Sequence, residues 1–585
     1  MSDRPAIIQG DRTVLLEVDH PEYARARDLL ARFAELERSP EHVHTYRLSA
    51  LALWNAAAQG VTADEVVAGL ASISRYDLPG HVVEEVRDLL SRHGVCRIVD
   101  GHDATALRLE VSDPGVRARL ERDPKLAGKL TADGAHYQLA TVDRGPVKRA
   151  LLLAGYPVED IAGLSEGAPL RVRVRTELFT PYPYQSAAVA AFTRAGHGVV
   201  VLPCGAGKTV IGLLAMETLG TRTLILTSSR EASSQWKREL CSKAELTTDQ
   251  VAIYDGARTP RVGEVTITTY SMMSKRGGAG PTGFTHFDRL AIEPWGLVIY
   301  DEVHLVPAPI FQLTAQLQAR RRLGLTATLV REDGREKDVF ALIGPKRFEI
   351  GWRMLEASGH IAAATCFEVR VAMSPGRSTA YASASLREQP RIAAANPTKL
   401  LAMKALVERH EGERILVMGT YVAPLREAAR QLAAPLIWGG TPHKERERIL
   451  SDFRVGAIRT LVLSRVGNFA IDLPEASVLL QLSGTMGSRQ EEAQRLGRIL
   501  RPKPGGASFY TIVSRHTREE EQALHRQLFL TEQGYRFFIE DLTHLPPDPL
   551  DIPEVATRDH DDDVTDEHDA SGTMLDSHGT RTLFN

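Results

Sequence analysis

Val199-Val-Val-Leu-Pro-Cys-Gly-Ala-Gly-Lys-Thr209 reads as a short β-branched strand, a glycine turn and the opening of a helix that continues through Val210 to Leu219. Closely spaced glycines let successive backbone N–H groups curl round an anion at a helix N-terminus, where the helix dipole also favours negative charge. Gly205, Ala206 and Gly207 would form that cradle. Lys208 would reach the β- and γ-phosphates of a nucleotide, and the Thr209 hydroxyl would ligate Mg²⁺. The first glycine of the longer phosphate-loop pattern is missing, because Leu202 stands there.

Strand, turn and helix then repeat. Thr223-Leu-Ile-Leu226, Val265-Thr-Ile-Thr268 and Leu297-Val-Ile-Tyr300 are further apolar or β-branched runs separated by helical stretches, the pattern of a buried parallel sheet. A second series starts at Arg414-Ile-Leu-Val-Met418 and continues with Thr460-Leu-Val-Leu463 and Val478-Leu-Leu-Gln481. The predicted fold is therefore α/β, two doubly wound parallel-sheet domains in tandem.

Asp301-Glu-Val-His304 follows the strand Leu297 to Tyr300 directly. A carboxylate at the C-terminal end of a buried strand beside a phosphate loop is placed to hold a metal through water, so Asp301 joins Thr209 as a metal residue. Glu302 would polarise the attacking water, and His304 reads as a contact to the second domain. In Gln494-Arg-Leu-Gly-Arg-Ile-Leu-Arg501 the arginines recur at i, i+3 and i+6, roughly along one helix face. Beside the other two motifs, Arg498 and Arg501 read as arginine fingers that complete an ATP site when two domains close.

A chain of 585 residues exceeds one hydrophobic core, and its 43% hydrophobic and 25% charged content is that of soluble globular protein. No apolar run is long enough for a membrane, no secretory signal opens the chain, and the four scattered cysteines read as reduced thiols of a cytoplasmic protein without a zinc site. Residues 546–585 hold eleven acidic residues against two arginines, so the net −3 of the whole chain conceals a body of about +6, suited to gripping phosphates. That tail has too little apolar content to order itself. It would either mimic nucleic acid and restrain the protein or keep it soluble. Residues 1 to about 130 alternate at helical spacing, as in Thr45 to Trp54 with Ser49 as a local cap. Leu170-Arg-Val-Arg-Val-Arg175 reads as a solvated edge strand, and 371–397 as a Ser, Ala and Pro-containing connector.

These motifs, in this order, resemble superfamily 2 helicases, and more narrowly the XPB family. Leu323-Gly-Leu-Thr-Ala-Thr-Leu-Val-Arg-Glu-Asp333, Leu342-Ile-Gly-Pro-Lys346, Ser464-Arg-Val-Gly-Asn-Phe-Ala-Ile-Asp-Leu-Pro474, the 492–501 segment and Tyr46-Arg-Leu-Ser-Ala-Leu-Ala-Leu-Trp54 carry the likeness, which spans most of 40–540. It implies RecA-like helicase domains at 177–370 and 371–545, an N-terminal domain at 1–130, and a damage-recognition-like segment at 131–176 that shows no motif of its own. The disordered tail at 546–585 falls outside it. The implied activity is that of an ATP- and Mg²⁺-dependent 3′→5′ DNA helicase or translocase in nucleotide excision repair or related processing. Its partner would be DNA, single-stranded or at duplex junctions, bound without regard to sequence by a monomer; a repair nuclease or other protein partner stays open.

The resemblance also assigns roles. Gln185 would read the adenine edge, and Gly467 and Asp472 would meet the nucleotide from the second domain. Gln494, Arg498 and Arg501 join the catalytic set with Lys208, Asp301 and Glu302. Thr326 and Thr328 would link ATP state to DNA grip, Thr268, Thr269 and Ser271 would touch the strand backbone, and Arg331, Glu332 and Asp333 would act at the strand junction. Tyr182 stands where relatives carry an arginine, and 374–395 is short and Ala/Ser-rich where they carry a thumb-like insertion. A duplex translocase that never separates strands, an RNA helicase and a DNA-binding scaffold are the rival readings.

Overall fold

The computed structural model describes residues 4–40, 42–102, 106–162, 166–256, 261–277, 283–306, 313, 317, 319–329, 336–464, 473, 475–484, 488–503 and 505–541. The apolar runs of the sequence become the inner strands of two parallel seven-stranded sheets. In the first, the spatial order is Val251–Ile253, Val265–Thr269, Thr223–Thr227, Leu297–Asp301, Arg321–Thr326, His197–Val201 and Lys346–Glu349. In the second it is Leu436–Ile437, Thr460–Leu463, Ile415–Met418, Val478–Gln481, Ala507–Ser514, Ala364–Val371 and Phe537–Asp541. Central strands such as Thr223–Thr227 and Ile415–Met418 are fully buried because helices cover both faces, which is why they read as continuous apolar runs rather than alternating ones. These are the two tandem RecA-like domains.

Their limits differ from the expected ones. Ala364–Val371 pairs with both Ala507–Ser514 and Phe537–Asp541, so a boundary at 370/371 would cut a strand out of the second sheet. Residues 375–383 and 389–394 are not a plain connector but two short helices packed on one another, seated where the Tyr381 hydroxyl accepts the Arg518 N–H at 2.8 Å. At the other end, Leu170, Val172 and Val174 are buried in the first domain's core. The Leu170 N–H donates to the Gly220 carbonyl at 2.9 Å and the Arg175 N–H to that of Lys243 at 2.8 Å. The segment from 170 thus belongs to that domain, and Arg171 and Arg173 stay exposed along its outer edge.

The N-terminal region divides near 92–95, not at 130. Strands Ala6–Ile8, Thr13–Glu17, Val43–Arg47 and Glu35–Arg38 form an antiparallel sheet packed by the helices Ala50–Ala58, Ala63–Ile73 and Gly80–Ser91. Thr45 to Arg47 are strand; the helix begins only after Ser49, whose hydroxyl accepts the Ala52 N–H at 3.1 Å as the expected cap. A separate five-stranded sheet follows, from Cys96–Asp100 to Val158–Asp160, with strands on both sides of residue 130. The pairing of Cys96 with Val158, 62 residues further on, carries no local signal, so composition alone does not place this boundary.

The N-terminal four-stranded domain packs against both parallel-sheet domains. Asn55 Oδ1 accepts the Lys346 N–H at 2.9 Å and the Arg347 guanidinium donates to the Ala58 carbonyl at 2.9 Å, while strand Glu35–Arg38 packs against helix Arg518–Glu532 of the second sheet's domain. At that junction burial, then the Glu349 carboxylate, pushes Glu532 up to about 7 from 4.5, with Lys346 and Arg489 opposing and Glu35 adding to the rise. A raised carboxyl favours the protonated folded state, so this group's contribution is lost as pH rises from 4.5 to about 7. Glu532→Gln should flatten that part of a thermal-melting profile against pH.

Candidate ATP site at the seam of the two domains

Gly205 and Gly207 adopt φ of +85° and +77°, and Gly207 caps the helix Lys208–Leu219. A Cβ on Gly207 would sit 2.5 Å from the Gln185 amide nitrogen, so only glycine closes this turn. Gln185 is buried with its amide donating to the Ala206 carbonyl at 3.1 Å and its oxygen accepting the Tyr182 N–H at 2.9 Å. The Tyr184 hydroxyl donates to the same carbonyl at 2.9 Å. Gln185, expected at the adenine edge, thus braces the glycine turn. Tyr182 stacks on Tyr184 with centroids 5.7 Å apart, and His360 stands edge-on to both.

Asp301 ends its strand, and Glu302 follows in the left-handed region at φ 49°, ψ 57°. A non-glycine residue held there costs about 1–3 kcal/mol and persists only where its surroundings impose it, a pattern that clusters at functional sites. The conformation turns the Glu302 carboxylate onto the Lys208 ammonium. Burial opposes the charge of both, but each holds the other ionised, with Glu302 below the usual carboxylate range and Lys208 above that of a free lysine. Asp301 goes the other way. Burial, then the charge of Glu302, pushes it up to about 6, against the pull of Lys208 and of Trp236. Thr209 lies in the first turn of the phosphate-loop helix. Two carboxylates and a hydroxyl beside a phosphate cradle are hard oxygen donors of the kind Mg²⁺ uses, together with substrate phosphates and water.

His304 does not reach the second domain through its Nδ1, which lies 2.5 Å from the Thr326 hydroxyl within the same domain. The Thr326 hydroxyl also meets the Thr328 carbonyl, so the DExH turn and the Thr-Ala-Thr segment are joined directly. Among the strand-contact candidates, Ser271 is exposed and hydrogen-bonds Thr269 at 3.0 Å. Thr268 is fully buried with its hydroxyl on the Tyr254 carbonyl at 2.9 Å, so that side chain serves the fold beneath the surface. Arg331, Glu332, Asp333, Gly467 and Asp472 lie outside the described residues.

The 494–501 segment completes the seam, though not as one helix face. The helix Arg489–Gly497 stops before the two arginines expected to act as fingers, with Arg498 at its C-cap and Arg501 beyond. Arg495 turns inward, donating to Gln481 Oε1 at 2.7 Å and the Ser483 carbonyl at 2.9 Å, and Gln494 is buried on the same helix. Arg501 reaches across to the phosphate loop, donating to the Gly205 carbonyl at 3.4 Å. The charges of Lys208, Arg498 and Arg501 all bear on the Cys204 thiol, which burial pushes up. A Cβ on Gly497 would come within 2.4 Å of Cys204 Cβ. Gly497→Ala should therefore hold the domains apart and lower ATP turnover by about 10²-fold, the usual cost of a misplacement near 1 Å; unchanged turnover would show that the seam tolerates a methyl group.

Sequence reasoning missed three residues here: Gly497, whose lack of a side chain matters only against Cys204, and Trp236 and Tyr270, which hydrogen-bond Asp301. No local pattern marks any of them.

The ERCC3/RAD25/XPB C-terminal helicase family matches residues 355–562, the type III restriction enzyme res subunit family 178–331, and a family described as helicase conserved C-terminal domain 6–133, at the N-terminus here. A Mycobacterium tuberculosis protein named DNA 3′-5′ helicase XPB is 48% identical over 93% of this chain and 99% of its own. The chain belongs to the XPB helicase family. The Saccharomyces cerevisiae general transcription and DNA repair factor IIH helicase/translocase subunit XPB/SSL2 is 31% identical to this XPB-family chain, over 93% of it and 73% of the yeast protein. The solved Hef helicase domain of Pyrococcus furiosus overlaps 60% of the chain and 99% of its own at 15% identity, with a TM-score of 0.42. Among the described residues no helix is long and apolar enough to cross a membrane.

Proposed function

We propose that this chain is a cytoplasmic ATP-dependent 3′→5′ DNA helicase or translocase, and that it acts in DNA repair, as the names of its eukaryotic XPB relatives suggest. The observation that carries the reading is the seam: Arg501 at the Gly205 carbonyl and Gly497 against Cys204 bring the second domain's cations to the first domain's phosphate cradle. On ATP binding Lys208 exchanges Glu302 for the β- and γ-phosphates, and Glu302, released, orients the attacking water. Arg498 and Arg501 neutralise the charge that develops on the transferred phosphoryl group. Thr209 and Asp301 would hold Mg²⁺, which when bound neutralises phosphate charge. Loss of the γ-phosphate removes what draws the arginines in, so the seam opens. Each cycle alternates the two domains' hold on one strand, through Thr269 and Ser271 on the first domain.

Phosphate contacts dominate such a grip, so binding should weaken with salt and be nearly blind to sequence. Strand displacement on DNA and RNA duplexes bearing 3′ or 5′ overhangs tests the reading. Displacement of 3′-overhang DNA alone, absent in Lys208→Ala, is the expected result. DNA-stimulated phosphate release without displacement would make the protein a duplex translocase, and no stimulation at all would make it a scaffold.

A further inference from the structure

We infer that Trp236 and Tyr270 are positioning residues that hold Asp301 for the metal and tie its position to the strand-facing segment. The inference rests on the helicase reading and adds to it the route by which the strand is sensed. Asp301 is fixed at two points. Its Oδ2 accepts the Trp236 indole N–H at 2.9 Å, and its main-chain oxygen accepts the Tyr270 hydroxyl at 2.8 Å. Both donors are deeply buried, 2% and 3% exposed, where a hydrogen bond is stronger than in water.

The two donors come from different elements. Trp236 lies on the helix Arg230–Lys243, and its ring is wedged against the phosphate-loop helix. A Cβ on Gly212 would lie 2.6 Å from it, so Gly212 makes the room that lets the indole reach the carboxylate. Tyr270 opens the four-residue helix Tyr270–Met273. The residues on either side of it, Thr269 and the exposed Ser271, are those proposed to touch the strand. An indole N–H has one direction to donate in, so it fixes the carboxylate rotamer and leaves the other oxygen for the ion, as partners behind metal ligands do. A strand pulling on Ser271 shifts Tyr270 and, through its hydroxyl, the backbone of Asp301.

Titration of a fluorescent ATP analogue, with Mg²⁺ or with EDTA and with or without single-stranded DNA, tests this in the full chain. Trp236→Phe removes the N–H and keeps an aromatic ring; affinity in Mg²⁺ should fall about 10-fold, the usual worth of such a partner, with affinity in EDTA unchanged. Tyr270→Phe removes one oxygen. DNA and nucleotide raise or lower each other's affinity by a common factor, and in this variant that factor should shrink towards one. An equal loss with Mg²⁺ and EDTA in Trp236→Phe, or full DNA coupling in Tyr270→Phe, would overturn the inference. Should Trp236→Phe not fold, the single-atom Tyr270 variant decides it. A wild-type protein that binds no nucleotide in Mg²⁺, or whose binding ignores DNA, would instead sink the helicase reading itself.

Discussion

Arg498→Ala should slow DNA-stimulated ATP hydrolysis by on the order of 10³-fold, the usual worth of an arginine finger, with the fold intact. Arg498 is the C-cap residue of its helix, half-buried at the seam, and its charge bears on Cys204 of the phosphate loop together with those of Lys208 and Arg501. With Lys208 engaged on the phosphates, Arg498 and Arg501 are what the second domain adds to balance the charge that grows in the transition state. Binding of ATP should suffer far less than turnover, because the contact is strongest after closure. Phosphate release measured at saturating ATP and DNA checks this; near-normal rates would mean that the two domains do not share one site.

The second large effect concerns the docking of the small five-stranded domain on the motor. Asp160 accepts Arg144 at 2.9 and 2.6 Å and Lys148 at 2.7 Å, with Arg322 of the first helicase sheet 4.0 Å away, and all four side chains are almost wholly buried. Burial alone would raise the Asp160 carboxyl, but these three cations hold it well below the usual range. The penalty of burying them shows in the cations instead, with Lys148 drawn down to about 8 and Arg322 to about 10. Asp160→Asn would leave three buried cations without this anion, and removing one partner of a buried pair costs about 3–5 kcal/mol. Urea unfolding should report that loss; a change under about 1 kcal/mol, typical of surface pairs, would show the cluster to be solvated. Since the native pKa is depressed, the wild-type contribution is present above the ordinary carboxylate value and disappears only as pH falls through the depressed one.

What the sequence determined by itself was whatever is encoded within a few residues. Val199–Leu202 and Leu297–Tyr300 had to be buried parallel strands because apolar character is continuous along them. Gly205 and Gly207 had to form a turn because only glycine takes those angles cheaply, and the order of phosphate loop, DExH turn and arginine segment placed two half-sites on two domains. The tertiary structure decided everything that depends on a partner distant in the chain. It joined Cys96 to Asp160 in one sheet, gave Ala364–Val371 to the second domain, ended the finger helix at Gly497 so that Arg495 turned inward, and set Trp236 and Tyr270 on Asp301. A glycine that admits Cys204 looks like any other glycine, and a tryptophan that donates one hydrogen bond looks like any other core aromatic. The forces at these positions act between residues 12 to 296 apart in the chain, where side-chain identity fixes what can be bonded and only packing fixes which atom is there to bond it.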